Sequence, residues 1–292
     1  MISPMNRIVR FVLAGAVAIA ASMLGQTVAL AQSTFERIKK EGVVRIGFAN
    51  EAPWSYAQSD GTIAGADFDL ATLIFGKLGV PVLEGVLTKF GSLIPGLKAN
   101  RFDLVVAGFY IRPARCEQVA FSEPTIAVGD ALVVKAGNPK NIHSFRDVTK
   151  DPSIKLGGVV GAATAQNAKS AGVPEAQIIM FPDFVSAIAA LRADRVDGAL
   201  QTAITAQTTV KSSNDPTIER ALPFEPAIIN GKPAVNYAGY AFRPEDQALV
   251  TAFNAELAKV SGSPEHVKIL EKYSISPNEI PKGTTTAELC KP

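Results

Sequence analysis

Side chains suited to binding a small charged molecule occur early in this sequence. Glu51 precedes Trp54, the single tryptophan of the chain, within the segment NEAPWSY. A carboxylate beside aromatic side chains is costly to desolvate unless it meets a cation. Aromatic faces also attract cations, by roughly 0.5–2 kcal/mol per ring. This combination predicts a loop that binds the positive end of a ligand, although a solvated carboxylate is the alternative for Glu51.

Further aromatic and basic side chains follow the predicted strands of the first half. Phe90 and Tyr110 are expected to form a cage with Trp54, and core packing is the alternative for each ring. Arg115 offers paired donors in a fixed fork, which suits a ligand carboxylate. Arg112 is a rival for this role, and a surface salt bridge is the alternative for Arg115. Together these residues predict a zwitterionic ligand.

The segment GGVVGAATAQNA lies between a predicted strand and a predicted helix in the second half. Free backbone N–H groups near Ala163 and Thr164 can therefore point at an anion. The segment is a poor nucleotide fingerprint, because it lacks the G-x-G-x-x-G order and a Walker lysine. We expect it to form the opposite wall of the ligand site.

Alternating strands and helices position these side chains. In the first half, strands are predicted at 43–49, 80–87, 103–109 and 130–137, and helices at 67–79 and 92–100. The second half repeats this order, with strands at 154–160, 176–181 and 196–201 and helices at 163–172, 183–194 and 203–211. A strand at 234–243 could return to the first sheet, before helices at 244–260 and 264–273. We expect Asp67 to cap the helix at 67–79.

This order predicts an α/β fold of two lobes, each with a mixed, mostly parallel sheet flanked by helices. Residues 32–135 and 238–292 are assigned to the first lobe and 136–237 to the second. The two hinge crossings are expected near 134–137 and 236–241. Because ligands bind outside the carboxyl ends of strands in such sheets, two facing lobes form one cleft.

The N-terminus is typical of a signal peptide. Arg7 and Arg10 precede an apolar run of about 14 residues, and Ala29-Leu30-Ala31 resembles a cleavage site. Spanning a bilayer takes about 20 residues, so an uncleaved anchor is the weaker interpretation. Removing residues 1–31 takes 29 basic residues to 27, equal to the 27 acidic ones. We therefore expect a periplasmic protein cleaved near Ala31, without a basic groove for nucleic acid.

Cys116 and Cys290 are the two cysteines of the chain. Export would place them in an oxidising compartment, which favours a disulfide between them. A reactive thiol or a metal site is the alternative, but neither His143 nor His266 lies at ligand spacing from a cysteine. We expect the disulfide and no metal.

Several segments occur in the order typical of a known family. The segments RIGFANEAPWSY, DGTIAGADFDLATLIFGKLGV and RPARCEQVAFSEP resemble the family 3 solute-binding proteins, which supply polar amino acids to ABC importers. The likeness covers essentially the whole chain after residue 31, and NEAPW, SLIPGL, RPARC and TTAELC resemble the ectoine- and hydroxyectoine-binding members. The resemblance implies a type II periplasmic binding fold, a small-molecule ligand, a permease partner in the inner membrane, and neither a cofactor nor an enzymatic activity.

Two departures from the family pattern bear on the ligand. Members often carry a ligand-binding threonine or serine where this chain has Ala163, with Thr164 one place later. Amino-acid binders commonly hold the α-ammonium group with an aspartate after the strand 196–201, where this chain continues Gln201-Thr202. A ligand with a ring cation, such as ectoine, hydroxyectoine or a cyclic imino acid, suits these residues better than a polar amino acid.

Two other classes stay open at this point. Relatives with this fold include cyclohexadienyl dehydratases and lytic transglycosylases, in which case Glu51 would be a general acid. A sensor module that presents its bound ligand to a receptor is the third class.

Overall fold

The computed structural model describes residues 33–229 and 232–291 of the chain. The first half contains α1 (Thr34–Glu41), β1 (Val43–Phe48), β2 (Tyr56–Ala57), β3 (Ile63–Ala64), α2 (Ala66–Lys77), β4 (Val82–Leu87), α3 (Leu93–Lys98), β5 (Leu104–Tyr110), α4 (Pro113–Cys116), β6 (Ala120–Phe121) and β7 (Ile126–Val128). The central part contains β8 (Asp130–Lys135), α5 (Phe145–Lys150), β9 (Leu156–Val159), α6 (Ala163–Ser170), β10 (Ile178–Phe181), α7 (Phe184–Arg192), β11 (Gly198–Thr202), α8 (Ala203–Ser213) and β12 (Ile218–Arg220). The chain ends with β13 (Ile228–Ile229), β14 (Lys232–Pro233), β15 (Asn236–Phe242), α9 (Gln247–Val260), α10 (Pro264–Lys272) and α11 (Thr286–Leu289).

Two larger sheets organise these elements. The first has the order β4-β1-β5-β15-β6, with β7 also paired to β15, and the second has the order β10-β9-β11-β8-β12. In each sheet the first three strands are parallel and the fourth runs antiparallel to both of its neighbours. The predicted α/β architecture with two mixed sheets is therefore confirmed. We call the elements around each sheet the first and the second lobe.

The crossings between the lobes differ from the predicted positions. Strand β8 was predicted to close the first lobe, but it pairs with β11 and β12 of the second sheet. The chain leaves the first sheet after Val128, so Gly129 forms the first crossing. It returns before Asn236, which pairs with Val128. An apolar strand looks the same in either sheet, because its sequence pattern records burial and not its hydrogen-bonding partner.

Burial explains the elements that carry the first lobe. All seven residues of β5 are buried, as expected of a central strand covered on both faces. Helix α2 buries Leu70, Ile74 and Phe75 on one face. The prediction that Asp67 caps this helix is wrong, since Gly65 is the N-cap residue. The Asp67 carboxylate instead accepts the backbone N–H of Gly108 at 2.6 Å.

A disulfide joins Cys116 to Cys290, as predicted, and closes a loop across 174 positions of the chain. The Thr286 hydroxyl donates to the carbonyl oxygen of Ser122 at 2.5 Å, beside the disulfide-bonded tail. Helix α11 carries a capping box between Thr285 and Glu288. These contacts hold the C-terminal segment against the first lobe.

The predicted signal peptide, residues 1–31, lies outside the described residues. Within the part of the chain that the structure covers, no helix combines the length and the apolar character that crossing a bilayer requires.

Candidate ligand-binding site between the two lobes

A small cavity lies where the two lobes meet. The first lobe lines it with Glu51, Phe90, Gly108, Tyr110 and Arg115, and the second with Ala162, Ala163, Thr164, Phe184 and Thr202. Six of the seven residues predicted for the ligand site are thus brought together. The cavity volume is about 20 Å³, which is room for about one water molecule. The structure is therefore a closed form, and a larger ligand requires the lobes to lie further apart.

Trp54, the seventh predicted residue, does not line this cavity. Its side chain is only 1% exposed, and its indole ring packs against Gly108. A Cβ atom on Gly108 would lie 2.8 Å from the ring, and the φ angle of +56° also favours glycine there. The indole N–H donates to the Thr205 hydroxyl of the second lobe at 2.9 Å. Trp54 therefore supports the wall at Gly108 and bridges the lobes.

Arg115 is a buried cation, 9% exposed. It donates to the carbonyl oxygen of Tyr110 and, across the cavity, to that of Gly161, both at 2.8 Å. Its guanidinium carbon lies 3.9 Å from the centroid of the Phe109 ring. Burial, and secondarily the charge of Arg112, lowers the pKa of Arg115 to about 9, so it remains charged at neutral pH. Across residues 33–229 and 232–291, no carboxylate forms an ion pair with it.

Glu51 is a buried acid, 4% exposed. Its Oε1 atom accepts a hydrogen bond from the Thr205 hydroxyl at 2.9 Å. Burial raises the pKa of Glu51 to about 8, the hydrogen bond from Thr205 lowers it, and the nearby Asp67 raises it further. No lysine or arginine among the described residues pairs with this carboxyl group. With no opposite charge beside it, Glu51 is therefore mostly protonated at neutral pH in the closed form.

Two hydroxyl groups in the cavity wall have unused hydrogen-bonding capacity. Tyr110 Oη and Thr164 Oγ1 are buried and have no hydrogen-bond partner among the described residues. Buried hydroxyl groups are normally hydrogen-bonded. Burial raises the pKa of Tyr110 well above its ordinary value, so its hydroxyl is a donor at any physiological pH. Both groups can bind a polar ligand.

Aromatic rings and a helix start complete the walls. Phe90 meets Phe184 of the second lobe edge to face, with centroids 5.9 Å apart. Helix α6 starts at Ala163 and no side chain caps it. The first N–H groups of a helix have no partner within the helix. At Ala163 and Thr164 these groups lie in the cavity wall, where they favour negative charge.

Arg112, the rival of Arg115 in the sequence, lies outside the cavity. It donates to the side-chain oxygens of Asn167 and Asn236, the latter at 3.0 Å. Asn167 donates in turn to Asp130 at 2.7 Å and to Asn236 at 2.9 Å. We call Arg112, Asp130, Asn167 and Asn236 the crossing network, because they lie beside the two crossings and join the lobes.

Sequence reasoning missed Phe184, Thr202, Thr205 and the carbonyl group of Gly161. Each follows a strand of the second sheet, which is the signal that identified the residues of the first lobe. Thr202 caps helix α8 by accepting the N–H of Thr205 at 3.0 Å. An aspartate after strand β11 would have indicated an ammonium site by its charge, whereas the neutral hydroxyl groups of Thr202 and Thr205 carry no such signal.

Two lobes that close on a cavity outside the carboxyl ends of their strands define a two-lobed binding protein. The family model described as bacterial extracellular solute-binding proteins, family 3, matches residues 44–276. The chain belongs to this family. Its fold is the type II periplasmic binding fold that the sequence predicted.

Individual relatives agree with this assignment. The chain is 36% identical over 290 residues to a probable amino-acid ABC transporter periplasmic-binding protein of Sinorhizobium fredii, covering 97% of this chain and 95% of the relative. The chain is also 36% identical to EhuB in its crystal structure with hydroxyectoine, with a TM-score of 0.80. The alignment covers 88% of this chain and 98% of the EhuB chain. The ancestral amino acid-binding protein AncCDT-1, a precursor of cyclohexadienyl dehydratase, is 28% identical with a TM-score of 0.72, over 82% and 99% of the two chains.

Proposed function

We propose that this protein captures a small zwitterion between its lobes and delivers it to an ABC permease of the inner membrane. One observation carries the proposal. The cavity contains a buried guanidinium group, that of Arg115, and a buried carboxyl group, that of Glu51, and neither has a partner of opposite charge among the described residues. A ligand with a carboxylate and a cationic group would supply both missing partners.

The electrostatics of the site support this assignment. Burying an unpaired charge costs several kcal/mol, and a matching ligand charge recovers much of that cost. We assign Arg115 and the start of helix α6, at Ala163 and Thr164, to the ligand carboxylate. We assign Glu51 to the cationic group, with Phe90 and Tyr110 as aromatic walls. Trp54 contributes by holding the wall at Gly108.

Ectoine and hydroxyectoine are the ligands that we propose. The second lobe presents Gln201 and Thr202 where an aspartate would suit an α-ammonium group, so the cationic end has to be met by Glu51 of the first lobe. A delocalised ring cation also suits aromatic walls. The similarity to EhuB, whose structure contains hydroxyectoine, supports the same choice. A polar or cyclic amino acid is the alternative ligand, as the name of the Sinorhizobium fredii relative suggests.

Calorimetry with the purified protein tests the ligand. We expect ectoine and hydroxyectoine to bind tightly, and glutamate, histidine and arginine weakly. At about 100 times its dissociation constant, the ligand should add roughly 2.7 kcal/mol to the free energy of unfolding. The ectoine ring without its carboxylate is the matched control and should not bind. If an α-amino acid stabilises the protein most and ectoine does not, the ligand assignment is wrong.

A dehydratase is the second candidate, and the raised pKa of Glu51 favours it, because a protonated buried carboxyl group can act as a general acid. We propose binding without turnover, since the named relatives that cover most of the chain are binding proteins. Incubation with a cyclohexadienyl acid, followed by NMR, should leave the compound unchanged. Loss of the ring hydroxyl that scales with protein concentration would establish the enzyme.

We also propose that residues 1–31 are removed on export and that the protein functions in the periplasm. Mass spectrometry of the exported protein should give an N-terminus near Gln32. A mature protein that retains residues 1–31 would contradict this assignment.

A further inference from the structure

Thr205 joins the two lobes through its hydroxyl group. This buried residue, 2% exposed, lies in the first turn of helix α8 in the second lobe. Its Oγ1 atom accepts from the indole N–H of Trp54 and from the hydroxyl of Thr202, each at 2.9 Å. It donates to Oε1 of Glu51, also at 2.9 Å. We call these four residues the Thr205 chain.

The direction of each hydrogen bond in the Thr205 chain follows from the donors available. A hydroxyl group has one hydrogen and two acceptor positions. The Trp54 indole can only donate, and Thr202 already accepts the N–H of Thr205, so it directs its own hydrogen to Thr205. Both acceptor positions of Thr205 are then filled. Its single hydrogen goes to Glu51 Oε1, which leaves Oε2 as the oxygen of Glu51 that is free for a ligand.

Free acceptors for a ligand cation lie elsewhere around the site. The hydroxyl groups of Tyr110 and Thr164 and the side-chain oxygen of Gln201 are buried without a hydrogen-bond partner among the described residues. The Thr205 hydroxyl has no such free capacity. Its part is therefore to hold Glu51 rather than to bind the ligand itself.

We propose that Thr205 is a positioning residue that holds Glu51 so that its Oε2 atom faces the ligand cation in the closed protein. The inference rests on the proposed function, because it concerns the cationic end of the same zwitterion. Since Trp54 and Glu51 belong to the first lobe and Thr202 and Thr205 to the second, the chain is complete only when the lobes are closed. Closure and the orientation of Glu51 are thereby coupled.

Two substitutions at one position test this role. Thr205→Val has nearly the same shape but cannot hydrogen-bond, and Thr205→Ser keeps the hydroxyl. We expect Thr205→Val to weaken ectoine binding about tenfold, because it removes the hydrogen bond that orients Glu51. Thr205→Ser should restore the affinity, and Thr208→Val on the same helix is the control.

The single tryptophan provides a second readout. A ¹⁵N-labelled sample has one indole N–H resonance, and ligand closure should move it downfield as Trp54 bonds to Thr205. The shift should be absent in Thr205→Val and present in Thr205→Ser. If Thr205→Val keeps the shift or the wild-type affinity for ectoine, the inference is overturned. An α-amino acid that outcompetes ectoine in the wild type would instead overturn the proposed ligand, and the indole shift with that amino acid would still decide whether Thr205 couples closure to the site.

Discussion

The two sides of the ligand cavity differ in chemistry. The first lobe contributes the ionisable side chains, Glu51 and Arg115, together with Phe90 and Tyr110. The second lobe contributes neutral hydroxyl groups, a phenylalanine, the carbonyl group of Gly161 and the start of helix α6. Recognition of charge is thus concentrated on one side. In the proposed mechanism, the second lobe closes over a ligand that the first lobe already holds.

This difference gives each lobe a separate role in binding. In the proposed mechanism, the open protein binds both ends of a zwitterion through the first lobe alone. Closure then adds the Thr205 chain, the free N–H groups of helix α6 and the crossing network. A ligand drives closure only through contacts that are better in the closed than in the open state. Substitutions in the first lobe should therefore affect initial binding of the ligand, and substitutions in the second lobe should affect closure.

The largest expected effect comes from Arg115 in the first lobe. Arg115→Met keeps an unbranched apolar stem but removes the charge that we assign to the ligand carboxylate. Truncating one partner of a buried, hydrogen-bonded charge pair costs roughly 2–5 kcal/mol, so affinity should fall at least about 30-fold. Calorimetry with ectoine measures the loss.

Arg115→Lys separates charge from geometry in the same experiment. Lysine keeps the charge but not the fork of paired donors, so the affinity of Arg115→Lys should lie between those of the wild type and Arg115→Met. Thermal unfolding of both variants checks that the fold is intact, since Arg115 also donates to two carbonyl groups. Wild-type affinity in Arg115→Met would show that the carboxylate binds elsewhere. Recognition of the ligand's negative charge would then not lie with the first lobe.

A smaller effect is expected from Asn167 in the crossing network. Asn167→Leu removes its bonds to Arg112 and Asn236, which join the lobes, and its bond to Asp130 within the second lobe. We expect about a tenfold loss of affinity, expressed mainly as faster ligand dissociation. Stopped-flow measurements with ectoine test this, and Gln166→Leu, an exposed amide on the same helix, is the control. A slower association rate with unchanged dissociation would contradict a role in holding the closed form.

A pH dependence of stability, rather than of binding, is expected in the ligand-free protein. Burial raises the pKa of Glu51 to about 8 in the closed form, above its ordinary value. The unfolded chain therefore releases this proton at lower pH than the closed protein, and the free energy of unfolding falls as pH rises from about 4.5 to 8. The slope from one proton is at most about 1.4 kcal/mol per pH unit. Glu51→Gln should reduce the slope in urea unfolding curves, and the rest comes from Asp67 and Asp130, whose pKa values burial raises to about 7 and about 6.

Two controls sharpen the pH experiment. Glu271→Gln changes an exposed glutamate on helix α10 and should leave the slope unchanged. Saturating ectoine should also reduce the slope of the free energy of unfolding against pH, since a ligand cation keeps Glu51 ionised. An unchanged slope in Glu51→Gln would mean that Glu51 is solvated in the ligand-free protein, as in an open form.

Much of the fold could be predicted from local patterns. The strands at 104–110 and 198–202 and the helices at 66–77 and 264–272 lie within a few residues of their predicted bounds. Periodicity and glycine stops define such elements. The assignment of residues 130–135 to the first lobe was wrong, because pairing across a sheet depends on residues distant in the chain.

Some residues of the candidate site could also be predicted from local patterns, and others could not. Glu51, Phe90, Tyr110 and Arg115 were predicted because they follow strands of a parallel sheet, whose carboxyl ends meet at one edge. Thr205 was missed, since one hydroxyl among several in the segment TAITAQTT carries no signal of its own. Its role depends on Trp54 and Glu51, about 150 positions earlier in the chain.

The sequence by itself determined the α/β class, the disulfide partners and the chemical types present at the site, because these depend on local patterns and on residue identity. Only the tertiary structure decided where the chain crosses between the lobes, which arginine lines the cavity and which hydroxyl group meets Glu51. Those outcomes depend on contacts between distant segments. A contact of this kind is fixed by the packing of the whole chain, so no short segment encodes it.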